Sequence, residues 1–504
     1  EITTRLVGSE MCIRDRNIAG AIGNNVNNQI KANGGVKIAN VIRYNDEYLN
    51  NYYRTQLSEQ SKLGQQLDGL GDLASILNDL EGTGIDGALS DFYEALNNLN
   101  EYPASSTARI NFIETAKTLT STMNSKYQQL QENTTKALGD GVSQESLENS
   151  KIYVQYRELN NKLEELASVN KALITTQTGT LEANNLLDKR DLILNEIAEF
   201  TDIKVVEKHN GAVNLYIGDT AVVKCAEVTG KLEIQTAKSY CDSQNPPIAY
   251  PDDWDGENAV ISIVNPETGE VINKNANADI TSGALGGLLH FATDNGDGEN
   301  GINAGTVMKG LDKLAQSIAD IFNDLNTRNG AYCINPDDTT KLQATTADNL
   351  IFVGADGTGQ GITAGNIQIN SDLLTDDGCW KIACAYFGDP ATNFDENAIG
   401  NAQNVVDMLG TRTQKIADLD GMSLEDFYTG LVGKVASAGS NIQSLYDTQS
   451  EVINSIESKI KDATGVDLNE ELVDLVKYQT AYSAAAQVFN TCNSCLDVLM
   501  SLGG

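Results

Sequence analysis

The chain has 504 residues, which allows about three or four domains, each with a core of its own. Lys and Arg number 35 against 70 Asp and Glu, and the formal net charge of -35 excludes the basic stripe that binding to nucleic acid or an anionic membrane requires. With 40% hydrophobic residues, 6% aromatics, 7 Pro and no apolar run near the length of a membrane span, the composition is that of an ordered, helix-rich chain.

Residues 6–16 (LVGSEMCIRDR) look like a translated sequencing adapter, so residues 1–16 are set aside as an adapter-like artefact. Residues 17–40 read as the remnant of an N-terminal segment. From 41 to 80 the apolar residues Tyr44, Tyr48, Tyr52, Leu63, Leu67, Leu70, Leu73 and Leu77 recur mostly every three or four positions, the spacing of one helix face. Gly64, Gly69 and Gly71 weaken that face in its middle. A Gly-rich break at 82–87 precedes a second helix over 88–99, and long helices fill 107–169. Another helix starts at Asn184, and together these make a helical domain over 41–200.

The period then changes from 3.6 to 2. Residues 203–206 and 213–217 flank Asn210-Gly211, a strong hairpin signal, and further strand-like runs follow at 221–223, 232–234, 260–264 and 271–272. This predicts a β-rich domain over 201–281. Helix returns in 282–330, with Leu311, Leu314, Ile318, Phe322 and Leu325 on one face. A second, Gly-rich β segment covers 331–394, and 395–464 rejoins the helical domain. The fold class expected is α+β and multidomain: a long helical bundle or coiled coil built from both chain ends, with β-rich insertions in the middle.

The sharpest signal lies in 465–504, expected as a C-terminal axial coiled-coil helix. Leu468, Leu475, Tyr482, Phe489 and Leu496 step by seven, and Tyr478, Ala485, Cys492 and Leu499 repeat the step three residues later. That is the a/d register of a coiled-coil seam. Asp467 and Glu470 start it in the manner of a capping box. These nine residues are the candidate assembly interface, because a seam of this length leaves an apolar stripe in water unless a partner helix covers it. An ordinary helix buried in its own domain is the alternative reading of the same pattern.

The stretch 465–502 (GVDLNEELVDLVKYQTAYSAAAQVFNTCNSCLDVLMSL) closely resembles the C-terminal helix of the flagellar hook-associated protein 1 family. So do GVKIANVIRYNDEYLNNYYRTQ (35–56), NNLLDKRDLILNEIAEFTDIKV (184–205) and SGALGGLLHFATDN (282–295), in family order, whereas 332–398 resembles it least. Family members begin with a long amphipathic helix ending in a motif like NNIANANTPGYSR. Its lack here marks the chain as an expected fragment whose heptad stripe is poorly covered as a monomer.

The resemblance implies a secreted, extracellular component of the bacterial flagellum that joins hook to filament by helix packing. It further implies export through the flagellar type III apparatus without signal cleavage. The implied partners are copies of itself in a ring, the hook protein, a second junction protein or flagellin, and an export chaperone that holds the C-terminal heptads; neither nucleic acid nor membrane is expected.

Candidate chemistry is sparse, and neither enzyme activity, a cofactor nor a metal is expected. His209 and His290, the two histidines of the chain, have no catalytic company in sequence. Cys492-Asn493-Ser494-Cys495 is a CxxC, but Cys492 falls on the seam, where a buried small hydrophobe is the plainer reading. Cys225, Cys241, Cys333, Cys379 and Cys384 lie in the β regions, where an oxidising exterior allows disulfides whose pairing the sequence leaves open. Asp294 to Glu299 resembles the first half of a calcium loop without its twelfth-position Glu, since 305 is Gly, and Asp252 to Glu257 does so more faintly. Gly357, Gly359 and Gly361 lack the strand and helix of a phosphate-binding loop. The rival classes are another flagellar axial protein, such as hook or flagellin, and a secreted carboxylate-dependent hydrolase or carbohydrate-binding module. With only Trp254 and Trp380, aromatics are too few for a sugar-stacking groove.

Overall fold

The computed structural model describes residues 16–17, 40–41, 45–77, 84–250, 257–292, 302–388, 393–464 and 468–501. Two short strands, β1 (Arg16–Asn17) and β2 (Asn40–Val41), pair antiparallel. The helical part follows as α1 (Glu47–Leu77), α2 (Gly84–Glu101), α3 (Ser106–Leu138), α4 (Gln144–Glu148), α5 (Lys151–Thr175) and α6 (Leu181–Phe200). Side-chain caps set the starts of α3, α5 and α6. Ser105 accepts from the Ala108 N–H at 3.4 Å, Ser150 from Tyr153 at 3.4 Å and Thr180 from Ala183 at 3.1 Å. The Thr180 cap starts α6 at Leu181, three residues before the expected Asn184.

Next comes an antiparallel meander of β3 (Lys204–Glu207), β4 (Val213–Ile217), β5 (Thr220–Lys224) and β6 (Glu227–Val228). The β3–β4 hairpin forms at the expected site, but through a longer loop than a two-residue turn. Its last ladder pair is Glu207 with Val213, and Asn210 (φ 58) and Gly211 (φ 79) turn the chain in the left-handed region. A second sheet joins β7 (Lys231–Thr236), β8 (Ala259–Val264) and β9 (Val271–Asn273), with α7 (Ala237–Ser243) after β7. Helices α8 (Gly283–Ala292) and α9 (Ala304–Thr327) return to the helical body. The later β segment contains β10 (Ala331–Asn335), β11 (Asp338–Ala344), β12 (Phe352–Val353), β13 (Gln368–Ile369) and β14 (Ala385–Tyr386). These form a three-stranded sheet ordered β11-β10-β14 and a β12-β13 pair. Helices α10 (Gln403–Gly410), α11 (Leu424–Thr464) and α12 (Leu468–Ser501) end the described chain. The architecture is the helix-dominated α+β class expected.

One apolar cluster runs from Leu70 to Val435 and includes residues of both β segments. At its centre Phe92 of α2 meets Phe112 of α3, Phe322 of α9 and Phe352 of β12, with ring centroids 5.2, 4.9 and 6.1 Å away. Buried asparagines then bond strand backbone to helix. Asn160 of α5 bonds both the N–H and the C=O of Leu232, Asn170 does the same to Val213, and Asn323 of α9 does so to Phe352. Each satisfies a backbone pair that would otherwise be buried unbonded.

The two ends of the helical body pack together. Along α1 and α11, Gln60 donates to Ser450 Oγ at 2.7 Å, Gln449 to the Gln56 carbonyl at 2.9 Å, and Tyr53 Oη to Glu457 at 3.2 Å. On another face α1 meets α8 at very close range. A Cβ at Gly287 would lie 2.8 Å from the Lys62 carbonyl oxygen, and one at Gly69 would lie 2.6 Å from the Phe291 ring. Gly69, a weak helix former within α1, therefore provides the recess in which Phe291 packs. The stretches 35–56, 184–205 and 282–295 converge here: Arg54 bonds Asp191 of α6, and Ser58 of α1 lies 2.8 Å from Ser282 at the start of α8.

Candidate assembly helix

Helix α12 follows α11 and carries the candidate interface. Leu475, Tyr478, Tyr482, Ala485, Phe489, Cys492 and Leu496 are all exposed in the single chain, Tyr482 by 73% and Phe489 by 67%. They lie on one continuous helix in the expected a/d register. Leu468 and Leu499 also belong to α12, but their side chains lie outside the described residues. Cys492, expected as a buried small hydrophobe, is exposed here because no other described element covers this helix, and Cys495 is exposed as well.

The exposed apolar surface is wider than the seam read from sequence. Leu472 and Met500 flank it at e positions and Val488 at a g position, and all three are more than half exposed. From 478 to 496 the helix carries no charged side chain, in a chain of net charge -35. Ala, Ser, Thr, Asn and Gln fill the remaining positions. Such a surface suits close packing against neighbouring helices on more than one side, whereas a two-stranded zipper in water carries charges at e and g. The unbroken uncharged run was the signal in the sequence that the nine-residue seam left out. Among the described residues no helix is long and apolar enough to cross a membrane.

The other candidates stay apart. Asp294 to Glu299 lies outside the described residues, and so do residues 252–256 of the fainter loop. Among the described residues, no group of three or more His, Cys, Asp and Glu is placed to hold a metal ion. Gly357 and Gly361 have positive φ in an exposed turn closed by the Gly354 N–H donating to the Thr358 carbonyl at 2.8 Å. His209 lies in a 3-10 turn of the β3–β4 loop. His290 is half-buried in α8, and burial first, then Lys62, holds its pKa below the ordinary value. The seven described cysteines are all free thiols.

Comparison with known proteins supplies the context. The family described as "Flagellar hook-associated protein FlgK helical domain" matches residues 70–332, and "Flagellar basal body rod FlgEFG protein C-terminal" matches 462–502, which contains α12. Flagellar hook-associated protein 1 of Bacillus subtilis (strain 168) is 23% identical over 476 residues, covering 93% of this chain and 87% of the relative. Its counterpart in Salmonella typhimurium is 24% identical over 541 residues, covering 93% and 90%. The structure of the flagellar hook junction protein FlgK from Burkholderia pseudomallei superposes with a TM-score of 0.56 at 13% identity, covering 83% of this chain and all of that one. That likeness is one of fold.

Proposed function

The chain belongs to the flagellar hook-associated protein FlgK family, and from that premise we propose that it is a structural subunit of the bacterial flagellum, seated where hook meets filament. The observation that carries the reading is α12, which presents leucines, tyrosines and a phenylalanine to solvent along a run without charge. Burying each such Leu or Phe against a neighbour contributes about 1.5–3 kcal/mol, which favours assembly over the isolated subunit.

On this reading α12 is the axial element, and Leu468, Leu475, Tyr478, Tyr482, Ala485, Phe489, Cys492, Leu496 and Leu499 pack against helices of neighbouring subunits. The apolar e and g flanks give each α12 more than one neighbour. The helical body makes lateral contacts with copies of the chain in a ring, the β segments face solvent, and the ring contacts hook protein on one side and a second junction protein or flagellin on the other. A chaperone that covers the same helix before export, and an extracellular position afterwards, complete the proposal. The role is mechanical rather than catalytic; the matched relatives carry the name of a flagellar component and not of an enzyme. The acidic surface keeps unassembled subunits apart by mutual repulsion.

The test is a Leu475→Ser, Tyr482→Ser, Phe489→Ser variant in cells of the source organism lacking their own copy. The variant is expected to unfold at the same urea concentration as the parent and to leave cells without attached filaments. Attached filaments in parental numbers would overturn the reading.

A further inference from the structure

Under the β10–β14 edge, three thiols lie around a buried guanidinium. Strands β10 and β14 run antiparallel, with Ala331 opposite Tyr386 and Tyr332 opposite Ala385. Carried one step beyond the last ladder pair, the same register sets Cys333 of β10 against Cys384, the residue just before β14. At the other end the Phe387 N–H donates to the Gly330 carbonyl at 3.1 Å, which marks 330 and 387 as a hydrogen-bonded pair. Alternation along the ladder then sets Cys333 and Cys384 in a non-hydrogen-bonded register, in which a regular antiparallel pair has Cα atoms about 4.5 Å apart and side chains on the same face. The backbone agrees: the Cys384 carbonyl accepts from the Asn404 N–H at 3.0 Å, away from β10, and Cys333 pairs with Gln343 of β11 on its other side. A separation of about 4.5 Å lies inside the span of roughly 4.4–6.8 Å that a disulfide bridges.

Both thiols are buried, Cys333 at 0% and Cys384 at 2% exposure. The chain around Cys384 is held from below by Arg109 of α3, which is 1% exposed. Its guanidinium donates to the carbonyls of Pro103 at 2.8 Å, Cys379 at 3.2 Å and Ile382 at 2.7 Å, and lies 5.6 Å over the Trp380 ring. Cys379 sits on the 3-10 turn Gly378–Lys381, off the ladder, with its carbonyl fixed by that same arginine. Burial pushes the Cys333, Cys379 and Cys384 thiols up, against the downward pull of Arg109. The closed edge therefore keeps them protonated and slow to react, so oxidation belongs to the folding chain or to an opened edge.

We propose that Cys333 and Cys384, free thiols in this structure, oxidise to a disulfide that locks β14 to β10, with Arg109 setting the register of the segment carrying Cys384 and Cys379 remaining a free thiol. The oxidant is a small-molecule disulfide such as oxidised glutathione. One cysteine gives its proton to water and, as thiolate, attacks that disulfide, expelling one glutathione thiolate. The second cysteine thiolate displaces the other, so two protein thiols are oxidised to one S–S bond, one disulfide is reduced, and the released thiolates take up the two protons. The bond closes a loop of about 50 residues, long enough to restrict the unfolded chain substantially. The inference stands on the β10–β14 register alone and is independent of the flagellar reading.

The experiment refolds the full chain from urea in a glutathione redox buffer, alkylates free thiols, digests without reduction and identifies linked peptides by mass spectrometry. The expected product links the Cys333 and Cys384 peptides, two hydrogens lighter than their sum, with Cys379 alkylated; Cys379→Ala gives the same link. The urea midpoint shifts upward on oxidation in the parent and does not shift in Cys384→Ala. Alkylation of both Cys333 and Cys384, a link from either to Cys379, or a parental midpoint indifferent to reductant would each overturn the proposal.

Discussion

Arg54 of α1 donates to Asp191 of α6 at 3.0 Å across 137 residues of chain, and both side chains are 6% exposed. Arg190 bonds the same carboxylate oxygen at 2.8 Å and reaches on to the Gly211 carbonyl in the β3–β4 loop. One carboxylate thus joins α1, α6 and, through Arg190, the hairpin, so the first helix of the body, the helix that leads into the first sheet and that sheet's own loop are fastened at one point. A buried carboxylate serving two guanidinium groups is costly to disturb, because removing it strands positive charge in a poorly hydrated place.

Asp191→Ala is therefore expected to destabilise the chain by about 3–5 kcal/mol. Arg54→Met, which leaves Asp191 with Arg190, is expected to cost less. Urea unfolding of the two variants beside the parent measures both, and equal losses would contradict the shared-carboxylate account.

The α1–α8 contact predicts opposite outcomes for two glycines of similar appearance. Gly287→Ala places a methyl 2.7 Å from the Gln65 Cβ and 2.8 Å from the Lys62 carbonyl oxygen, so the helices must separate, at about 1–3 kcal/mol. Nothing lies within 4 Å of a Cβ at Gly71, inside the same α1. Gly71→Ala is expected to stabilise by about 0.4–1 kcal/mol. Thermal unfolding of the two variants distinguishes them by sign.

His290 makes stability depend on pH in a stated direction. Burial and Lys62 lower its folded pKa, with Glu257 and Glu59 opposing. The unfolded chain takes up this proton more readily than the fold does. The contribution is complete above the unfolded value of about 6.5 and is lost as pH falls past it toward the lower folded value. Parental urea midpoints should fall more steeply from about pH 7 to about pH 5 than those of His290→Gln. Matching slopes would show that the imidazole does not contribute.

The elements legible in sequence were those whose pattern is local: the helical periods, the change to period 2 after α6, the turn at Asn210-Gly211 and the heptads of α12. What escaped depends on which distant group a side chain meets. Asn160, Asn170 and Asn323 resemble surface residues of amphipathic helices, yet each bonds the backbone of a strand that packs on its helix. Arg109 likewise reads as an ordinary helix cation, although it is buried among three carbonyls. Gly69 reads as a weakness because helix propensity is a property of α1 alone, whereas its use depends on Phe291, far along the chain. On α12 the sequence shows the a/d positions of a helix that the structure leaves exposed, whereas the exposed e and g positions lie outside a two-position template, which does not register small uncharged neighbours.

The central claim, that α12 is buried when the protein assembles, is tested most directly by its own thiols. Cys492 and Cys495 are exposed in the single chain. Their alkylation rates are to be compared in purified monomer and in flagella isolated from the source organism, with mass spectrometry reporting each site. The account predicts fast labelling of both cysteines in the monomer and strong protection of Cys492, which lies on the seam, in the assembled flagellum. Equal labelling of Cys492 in the two states would contradict it.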